Sequence, residues 1–562
     1  MDILIKNGRI VDGTGNPWFY SDLLLSNGEI KTMGRRLDVP ADKVIDAEGL
    51  TVAPGFVNPH DHVDGIVFFR PDMEPWITQG ITTSMCGNCS FSPYPDKATW
   101  LEHTATNPEV ELVTYSEKVR TFPQDWSSLT EYAAAVNENT VGINVVPLIG
   151  HGTIRWKAGL RRDEAPTAAQ YEKIKSLTRE GLRQGAFGLS LGLSYPPCRF
   201  ADDDEISDLA AIVAEYNGGI YAHISDLIDE NDICKLGLLS EKFRIPVHIP
   251  HINPPGKSRF KDLPIALGAL EAARNRGADI SFDVMQFSDW CFRNDAMRHF
   301  FYFLCNNDYY ETHIEGAEDY ESFLQNLADD DFKGEVQQAV TENFPKVGDF
   351  YEEYLTDAGH IWLINTGDDN IEDKTINELA QAAGVDPIDL FFDIVLQRSN
   401  LVQKGVEPGL VAPFLGGEDN IAKASNHPMA MPCLDIPTDV TDPSVAPWPQ
   451  MYGTFPKFYR NLINYGTSVE EAVRKMTSLP ANRLGLTDRG RIEVGYKADI
   501  TVFDPSEYRT EADYYDPFVA AKGVHVVIVN GEIALENGEP TGVKAGKMLL
   551  KQHRQINPQQ ET

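Results

Sequence analysis

Histidine, cysteine and aspartate residues recur in the chain where apolar runs end. His60 and His62 are two residues apart after one such run, and side chains at that spacing in a strand share a face. The further members of this set are one of Cys86 and Cys89, together with His151, His223, His251 and Asp435. Imidazole, thiolate and carboxylate groups together suit Zn²⁺ or a similar divalent ion. The sequence therefore predicts a metal site assembled from distant segments.

Some of these residue types also have ordinary structural roles. A single histidine at a strand end is often a hydrogen-bonded core residue, and this alternative stays open for His151 and His248. His248 and His251 have opposite strand parity, so one of them faces the site, and we favour His251. Cys86 and Cys89 form a CxxC pair, but a redox pair normally opens a helix, whereas this pair ends a β run. We expect one cysteine at the metal and the other packed as a small apolar group.

The elements that must position these residues follow an alternating pattern. Eight apolar runs, separated mostly by amphipathic stretches, predict βα units around a parallel sheet. The runs are residues 51–58, 82–86, 143–149, 188–191, 219–223, 246–251, 279–284 and 429–434. Eight parallel strands predict an α/β fold of the (β/α)₈ TIM-barrel type, whose catalytic residues lie at the carboxyl ends of the strands.

The two ends of the chain are rich in short strands. Asn7-Gly8 and Asn27-Gly28 lie between apolar runs, which is typical of β-hairpins. We expect a small β-sandwich formed from both termini and a mostly helical insertion, acidic and aromatic, between strands seven and eight. The predicted boundaries are 1–54 and 476–550 for the sandwich, 55–475 for the barrel, 290–399 for the insertion and 551–562 for a polar tail.

Composition excludes several classes of protein. With 42% hydrophobic and 10% aromatic residues, the 562-residue chain is not expected to be disordered. The sequence contains no run of about 18 apolar residues, so it predicts no membrane span. A net charge of −35 argues against binding nucleic acid or an acidic membrane surface. Seven scattered cysteines and no visible secretory signal predict a reducing, cytoplasmic location. Assembly into a homo-oligomer is left open.

Several motifs resemble the amidohydrolase superfamily. They begin with Pro54-Gly55-Phe56 before His60-x-His62 and include a late run over residues 477–500. Finer matches are similar to the N-acyl-D-amino-acid deacylase (D-aminoacylase) branch. These finer matches are Gly87-Asn88-Cys89-Ser90-Phe91-Ser92, Gly150-His151-Gly152 and Tyr221-Ala222-His223. The resemblance covers nearly the whole chain and implies a zinc-dependent hydrolase that acts on carbon–nitrogen bonds other than peptide bonds.

The resemblance also implies roles for single residues. Cys89, His223 and His251 match the ligands of a tight zinc site. His60 and His62 match the pair that flanks a second, weaker divalent-metal site. Asp435 matches the aspartate that acts as general acid and base during attack of a metal-activated water. His151 is expected to stabilise the oxyanion or to bind substrate if it faces the barrel axis.

The chain departs from the family where relatives bind a free carboxylate. Asn253 occupies the position of a family lysine, Asp283 is followed by Val284-Met285-Gln286-Phe287 instead of a tyrosine-containing motif, and the stretch after Asp435 lacks the usual arginine. A buried carboxylate without a partner is costly. We therefore expect a neutral or cationic, partly hydrophobic small-molecule amide as substrate. Asn253, Phe287 and Trp290 are expected to line its pocket.

Three alternatives stay open at this point. The first is an N-acyl-D-amino-acid deacylase proper. The second is a cyclic-amide hydrolase of the dihydroorotase or hydantoinase type, or a deaminase, against which Cys89 and its local motif argue. The third is a non-enzymatic relative that keeps the scaffold for binding, against which the full set of candidate ligands argues.

Overall fold

The computed structural model describes most of the chain apart from the region between strands seven and eight. The described residues are 1–105, 121–225, 227–254, 257–287, 289–292, 417–436 and 448–552, with shorter pieces at 326, 329, 331–335, 338, 362–364, 373–387, 389–390, 393–394 and 409–413. In chain order the strands are β1 Ile3–Ile10, β2 Phe19–Ser26, β3 Glu29–Gly34, β4 Lys43–Asp46, β5 Thr51–Pro54, β6 Phe56–Asn58, β7 Ile81–Cys86, β8 Asn144–Pro147, β9 Ile149–Gly150, β10 Gly188–Gly192, β11 Gly219–His223, β12 Val247–Ile249, β13 Ile280–Val284, β14 Asp289–Phe292, β15 Trp362–Ile364, β16 Gly409–Pro413, β17 Ala430–Pro432, β18 Ile500–Phe503, β19 Val524–Val529, β20 Glu532–Glu536 and β21 Glu539–Pro540.

Helices fill most of the gaps between the parallel strands. In chain order they are α1 Ile66–Phe69, α2 Glu74–Thr78, α3 Lys97–Thr104, α4 Leu129–Asn139, α5 His151–Ala158, α6 Ala168–Arg183, α7 Asp203–Glu215, α8 Glu230–Phe243, α9 Leu263–Arg276, α10 Ile376–Ala383, α11 Gly417–Asn426, α12 Gln450–Asn464, α13 Val469–Met476 and α14 Ser478–Leu484, with short 3₁₀ turns at Cys198–Phe200 and Lys257–Asp262. Across the described residues, no helix combines the length and the apolar character needed to span a bilayer.

The helices that follow the parallel strands begin at residues suited to cap them. The side chains of Ser128, Thr167, Asp202 and Asp229 each accept a hydrogen bond from the backbone N–H three residues on, at the starts of α4, α6, α7 and α8. Such a cap satisfies a donor that has no partner within the helix, and it contributes about 1 kcal/mol. Local sequence therefore sets where these four helices start.

One nine-stranded sheet joins the two ends of the chain. It contains β1 to β5 and β18 to β21, and β18 pairs antiparallel with β5 while β1 pairs parallel with β4 and β5. Apolar side chains from both ends, including Ile3, Val52 and Ile500, are fully buried in one cluster. The expected association of the termini is thus present as a shared sheet with a shared apolar core.

The two Asn-Gly pairs of the N-terminal region adopt different structures. Asn27-Gly28 forms the predicted hairpin between β2 and β3, and both residues have positive φ angles of 52° and 77°. Asn7-Gly8 instead lies inside β1, where the pairing with β2 shifts register. A Cβ at Gly8 would lie 2.5 Å from Val52 Cγ2. The hairpin predicted at Asn7-Gly8 is wrong, because the residues on both sides of the pair bind the same neighbouring strand and leave only a bulge.

The parallel strands form two sheets whose order follows the sequence. β6, β7 and β8 pair in one sheet, and β9 to β13 followed by β17 pair in the other. Between β8 and β9, the Leu148 N–H donates to Cys86 O at 2.9 Å, and after β17 the Asp435 N–H donates to His60 O at 3.2 Å. All of these strands point in one direction, so their carboxyl ends lie together. The fold is mixed α/β with parallel sheets of the kind found in a barrel.

Two predicted strands are each divided in the structure. The run at 51–58 becomes β5 in the terminal sheet and β6 in the parallel sheet, separated by Gly55. A Cβ at Gly55 would lie 2.1 Å from Thr82 Oγ1, so glycine allows the close approach at which the chain changes sheets. The run at 143–149 likewise becomes β8 and β9.

The region between β13 and β17 contains a sheet that the sequence reading missed. β14, β16 and β15 form an antiparallel sheet in that order. The same region of the chain also contains the helix α10. A mostly helical insertion was expected at 290–399, and much of that segment lies outside the described residues. The sheet pairs residues that are far apart in sequence, and hydrophobic periodicity carries little information about such pairing.

Candidate functional site

Two histidines and an aspartate meet where β6 and β17 end. The Nε2 atoms of His60 and His62 each lie 3.3 Å from Asp435 Oδ1. The His60 side chain is fully buried, whereas the Asp435 side chain is 18% exposed. With Cys89, these residues offer four ligand-type atoms that all lie within 4.8 Å of one another. Asp435 is therefore the member of this group that solvent can reach.

A second group shares Cys89 with the first. Cys89 Sγ lies 3.3 Å from His60 Nε2 and 3.8 Å from His223 Nδ1, and His223 Nδ1 lies 2.9 Å from His251 Nε2. The ligand-type atoms of Cys89, His223 and His251 also lie within 4.8 Å of one another. The structure thus brings all five predicted metal ligands and Asp435 to one place at the carboxyl ends of the strands.

The backbone is strained at three of these positions. Cys89, His251 and Asp435 have positive φ angles of 51°, 38° and 52°, although none is a glycine. A non-glycine residue held in such a conformation costs about 1–3 kcal/mol and persists only when its surroundings fix it. Strain at three neighbouring site residues indicates that the placement of their side chains, rather than the backbone's preferred conformation, determines the local structure.

Electrostatics favour anionic side chains at Cys89 and Asp435. Burial alone would raise the pKa of Cys89, but the neighbouring His60 and His62 outweigh it and hold that pKa well below its usual range. Burial also opposes ionisation of Asp435, yet the same histidines lower its pKa. Conversely, burial would lower the pKa of His60, but Asp435 and Cys89 raise it well above its ordinary value. Cys89 and Asp435 are therefore anionic groups whose charge the neighbouring histidines offset.

The donor set and its spacing fit a zinc ion. Tetrahedral zinc bound by nitrogen and sulfur at its usual bond lengths places neighbouring ligand atoms about 3.3–3.8 Å apart. The separations from Cys89 Sγ to His60 and His223, 3.3 and 3.8 Å, lie in this range, whereas His223 and His251 are closer at 2.9 Å. The ring nitrogens that face Cys89 or one another are His60 Nε2, His223 Nδ1 and His251 Nε2. Thiolate and imidazole donors this close together suit zinc chemically.

Asp283 and Cys433 also contact this cluster, and the sequence reading did not assign them to it. Asp283 Oδ2 lies 2.7 Å from His248 Nε2 and 3.6 Å from His60 Nδ1, and Asp283 Oδ1 accepts a 2.6 Å hydrogen bond from the His251 N–H. Cys433 lies with His60 and Asp283 in a third group of ligand-type atoms. A signal for Cys433 was available, because it precedes Asp435 by two residues, the spacing at which strand side chains share a face.

His151 belongs to a different buried cluster. Its Nδ1 lies 3.1 Å from Cys198 Sγ and its Nε2 lies 2.7 Å from Glu205 Oε1, and Glu205 Oε2 also accepts a hydrogen bond from Arg155. The structure does not bring His151 into either group of ligand-type atoms. The reason is local, because β9 ends at Gly150 and His151 is the first residue of α5, so its side chain no longer follows the strand direction.

Two of the residues expected to bind substrate, Asn253 and Phe287, have contacts within the fold. The Asn253 amide donates to Met285 O at 3.2 Å and accepts from the Met285 N–H at 3.0 Å. Lys457 Nζ lies 4.3 Å from the centre of the Phe287 ring, which is 4% exposed. Trp290 lies in β14, and its side chain is outside the described residues. Asn253 and Phe287 thus have partners within the fold that account for their positions.

Comparisons with known proteins agree with this geometry. A model of the amidohydrolase family matches residues 43–234 and 354–535. D-aminoacylase of Alcaligenes xylosoxydans xylosoxydans is 27% identical over 560 residues, which cover 98% of this chain and 98% of that protein. N-acyl-D-aspartate deacylase of the same organism is 26% identical over 556 residues, which cover 98% of this chain and 95% of that protein. The resemblance to the N-acyl-D-amino-acid deacylase branch is confirmed.

Solved structures share the fold over the whole chain. The crystal structure of N-acyl-D-glutamate deacylase from Bordetella bronchiseptica, in complex with zinc and a phosphonate mimic of the tetrahedral intermediate, aligns with a TM-score of 0.73 at 24% identity and covers 98% of this chain and 99% of that chain. The expected class of hydrolase is confirmed at the level of the family. Because the family model matches more than half of its residues, the chain belongs to the amidohydrolase family.

Proposed function

We propose that this protein hydrolyses the carbon–nitrogen bond of an amide with a zinc-activated water molecule, and that Asp435 is the general acid and base. The observation that carries this proposal is the position of Asp435 Oδ1, 3.3 Å from both His60 Nε2 and His62 Nε2. A partly exposed carboxylate beside a buried set of nitrogen and sulfur ligands is the arrangement that metal-assisted hydrolysis requires.

The candidate ligands divide into two sets that share the Cys89 thiolate. Cys89, His223 and His251 would hold the tight zinc ion, and His60 and His62 with Cys89 would offer a second, weaker divalent-metal site. Zinc held there supplies Lewis acidity, which polarises a carbonyl and lowers the pKa of water to about 7. The shared thiolate makes binding at the two sites interdependent.

Asp435 moves the proton in this mechanism. Its side chain is the partly exposed member of its group, so both water and substrate can reach the carboxylate. The carboxylate accepts a proton from the attacking water and returns it to the leaving amine nitrogen as the tetrahedral intermediate collapses. His60 Nε2 and His62 Nε2 lie 3.3 Å from the carboxylate oxygen, so Asp435 is placed directly beside the atoms that would hold the second metal.

We infer that the parallel strands close into a (β/α)₈ barrel with a β-sandwich at the termini. The hydrogen bond from the Asp435 N–H to His60 O supports closure at one junction, and that from the Leu148 N–H to Cys86 O supports it at the other. The proposed parts are 1–54 with 476–550 for the sandwich, 55–475 for the barrel, 290–399 for the insertion and 551–562 for the tail. Closure would place the candidate ligands around one central opening.

The substrate proposed for this site is a neutral, partly hydrophobic amide. Asn253, at the position of a family lysine, is neutral and has both ends of its amide engaged by the Met285 backbone. Phe91 and Tyr195 pack with Cys89 in a small apolar cluster beside the candidate ligands. Leu227 packs against buried Met285 and Cys433 on another side. These surroundings favour apolar groups over a free carboxylate.

A substrate panel with metal control tests the proposal. The protein is stripped with a chelator, reloaded with zinc, and assayed for acetate release from N-acetyl-D-leucine and from N-acetyl-D-leucinamide. We expect zinc-dependent release with a higher kcat/KM for the amide. Preference for the free acid would contradict the substrate class and favour an N-acyl-D-amino-acid deacylase, for which the 26–27% identical relatives argue. Ring opening of a 5-substituted hydantoin in preference to both would favour a cyclic-amide hydrolase.

A further inference from the structure

A buried carboxylate lies between the two histidines of the His60-x-His62 motif. Consecutive side chains of an extended segment point in opposite directions, so Asp61 does not share the face of His60 and His62. Asp61 is nevertheless fully buried. A buried aspartate without a metal or a cationic partner needs hydrogen-bond donors to offset the loss of water.

Asp61 has those donors on both oxygens. Oδ2 accepts hydrogen bonds from Asn58 Nδ2 at 2.8 Å, Trp76 Nε1 at 2.7 Å and Ser84 Oγ at 2.9 Å, and Oδ1 accepts from the backbone N–H groups of His62 and Ile436, both at 3.1 Å. An ionised carboxylate offers about four lone-pair positions, so its accepting capacity is used completely. The donors come from β6 and the residues after it, from α2, from β7 and from the segment after β17, which Asp61 therefore ties together.

Three successive backbone N–H groups around Asp435 are held by this same segment. Leu434 N–H donates to Asn58 Oδ1 at 3.2 Å, Asp435 N–H donates to His60 O at 3.2 Å, and Ile436 N–H donates to Asp61 Oδ1 at 3.1 Å. Asn58 in turn is oriented by its own donation to Asp61 Oδ2. Two of the three bonds therefore depend on the Asp61 carboxylate.

The backbone held in this way is the strained one. Asp435 has a φ of 52°, a conformation that a non-glycine residue keeps only when its neighbours impose it. The same conformation directs Oδ1 to 3.3 Å from both His60 and His62. Without the three bonds, residue 435 could relax to an ordinary φ, and its carboxylate would leave this position.

We propose that Asp61 is a positioning residue that holds Asp435 in place for hydrolysis. This inference rests on the proposed function of Asp435. Asp61 is not a candidate metal ligand, because both oxygens of its carboxylate accept hydrogen bonds from protein donors. It acts through the backbone of residues 434–436.

Another buried aspartate provides a matched control. Asp499 is 5% exposed, accepts hydrogen bonds from the Asn530 N–H and Asn144 Nδ2, and pairs with Arg489 in the terminal sheet region. Asp61→Asn and Asp499→Asn make the same chemical change in two similarly buried, multiply bonded carboxylates. Both variants place an amide N–H₂ against existing donors, so both should lose stability. Only Asp61→Asn should affect Asp435.

The first measurement compares kinetics in zinc-loaded protein with N-acetyl-D-leucinamide. We expect Asp61→Asn to lower kcat by about 10–100-fold, the usual effect of removing a group that orients a reacting residue. KM and bound zinc per chain should stay near the wild-type values. Asp499→Asn should keep its kcat. Wild-type kcat in Asp61→Asn, or an equal loss in the two variants, would overturn the proposal.

The second measurement does not depend on activity. Hydrogen exchange followed by mass spectrometry should show faster exchange in peptides that contain residues 434–436 in Asp61→Asn and unchanged exchange there in Asp499→Asn. Unchanged exchange in both variants would overturn the proposal. If Asp61→Asn does not fold, Asn58→Ala removes one of the three bonds and should show a smaller effect of the same kind. A zinc-loaded wild type that hydrolyses no amide contradicts the proposed function, whereas the exchange result still decides whether Asp61 holds Asp435.

Discussion

Two buried polar clusters, at opposite ends of the parallel strands, differ in how completely their groups are paired. In the cluster around Asp499, the carboxylate pairs with Arg489 and accepts from the Asn530 N–H, and Asn144 and Asn530 bond to each other. In the cluster around Cys89, imidazole, thiolate and carboxylate atoms lie within 4.8 Å of one another, and the His251 Nδ1 atom lacks a hydrogen-bond partner. The first cluster pairs its carboxylate with an arginine, whereas the second pairs its anionic groups with histidines, which can also bind a metal ion.

This difference separates a stabilising cluster from a binding one. A fully satisfied buried network fixes the structure, while each unsatisfied buried group costs about 1–3 kcal/mol. The Cys89 cluster adds backbone strain at Cys89, His251 and Asp435 to this cost. A protein that keeps such a site needs stabilising interactions elsewhere to offset this free-energy cost. The hydrogen-bonded carboxylates of Asp61 and Asp499 are examples of such interactions. The following predictions test whether the two clusters behave as differently as their bonding indicates.

The largest effect is expected from removing the thiolate that both proposed metal sites share. Cys89→Ala should lose tightly bound zinc and, with it, all zinc-dependent amide hydrolysis, since Sγ lies beside both His60 and His223. Metal analysis after gel filtration, together with the acetate-release assay, measures both. Cys86→Ala is the matched control, because Cys86 is buried but does not belong to the ligand groups among the described residues. Full zinc content in Cys89→Ala would show that the thiolate is not a ligand.

The next effect concerns catalysis without loss of metal. Asp435→Asn should lower kcat by about 10²–10⁴-fold, the contribution expected of a general acid and base. Zinc content should stay near the wild-type value, because Cys89, His223 and His251 are unchanged. Stopped-time acetate assays and metal analysis of the same sample separate the two quantities. Loss of zinc in this variant would instead identify Asp435 as a ligand.

The sequence predicted the members of the Cys89 cluster better than the contacts that hold them. The alternation of strand side chains and the placement of sites at carboxyl strand ends are local rules, and they selected five of the six residues that the structure brings together. The family resemblance distinguished the sixth, Cys89, from Cys86. The role of Asp61 depends on contacts with Trp76 in α2, Ser84 in β7 and Ile436 after β17. Such contacts depend on the relative position of elements and leave no local pattern.

The same limit explains the parts of the fold that the sequence reading missed. Hydrophobic runs predicted the parallel strands, but they did not show that the first run divides at Gly55 between two sheets. The pairing of β14 with β16 joins residues more than a hundred positions apart, and no periodicity within either strand indicates it. His151 was selected by its motif, yet the start of α5 directs it to Glu205 and Cys198.

A smaller, purely structural effect is expected in the Asp499 cluster. Arg489→Ala removes one partner of a buried ion pair whose side chains are 7% and 4% exposed, and this should lower the free energy of unfolding by about 3–5 kcal/mol. Urea unfolding followed by circular dichroism measures the loss. At a temperature where the variant is folded, kcat and zinc content should match the wild type. A lower kcat in folded Arg489→Ala would contradict the separation between the two clusters.

The smallest expected effect is the pH dependence of stability that comes from His103, a hydrogen-bonded histidine near the segment that contains Cys89. Burial lowers the pKa of His103 to about 3, and its ring nitrogens lie near Thr153 Oγ1 at 3.0 Å and Pro196 O at 3.3 Å. Below its ordinary pKa of about 6.5, the unfolded chain takes up a proton that the folded protein does not, so the free energy of unfolding falls as the pH falls. At pH 5.5 this contribution amounts to about 1.4 kcal/mol relative to pH 7.5.

His103→Gln keeps hydrogen-bonding groups at this position but removes the titration. The stability advantage of the wild type over this variant, measured by urea unfolding, should therefore shrink by about 1.4 kcal/mol between pH 7.5 and pH 5.5. Both proteins contain the same candidate ligands, Cys89, His223 and His251, so the pH dependence of metal binding cancels in the difference. A difference that stays constant would mean that His103 takes up its proton in the folded protein as readily as in the unfolded chain. The contrast between the hydrogen-bonded, neutral His103 and the histidines beside Cys89 and Asp435 would then lose its electrostatic basis.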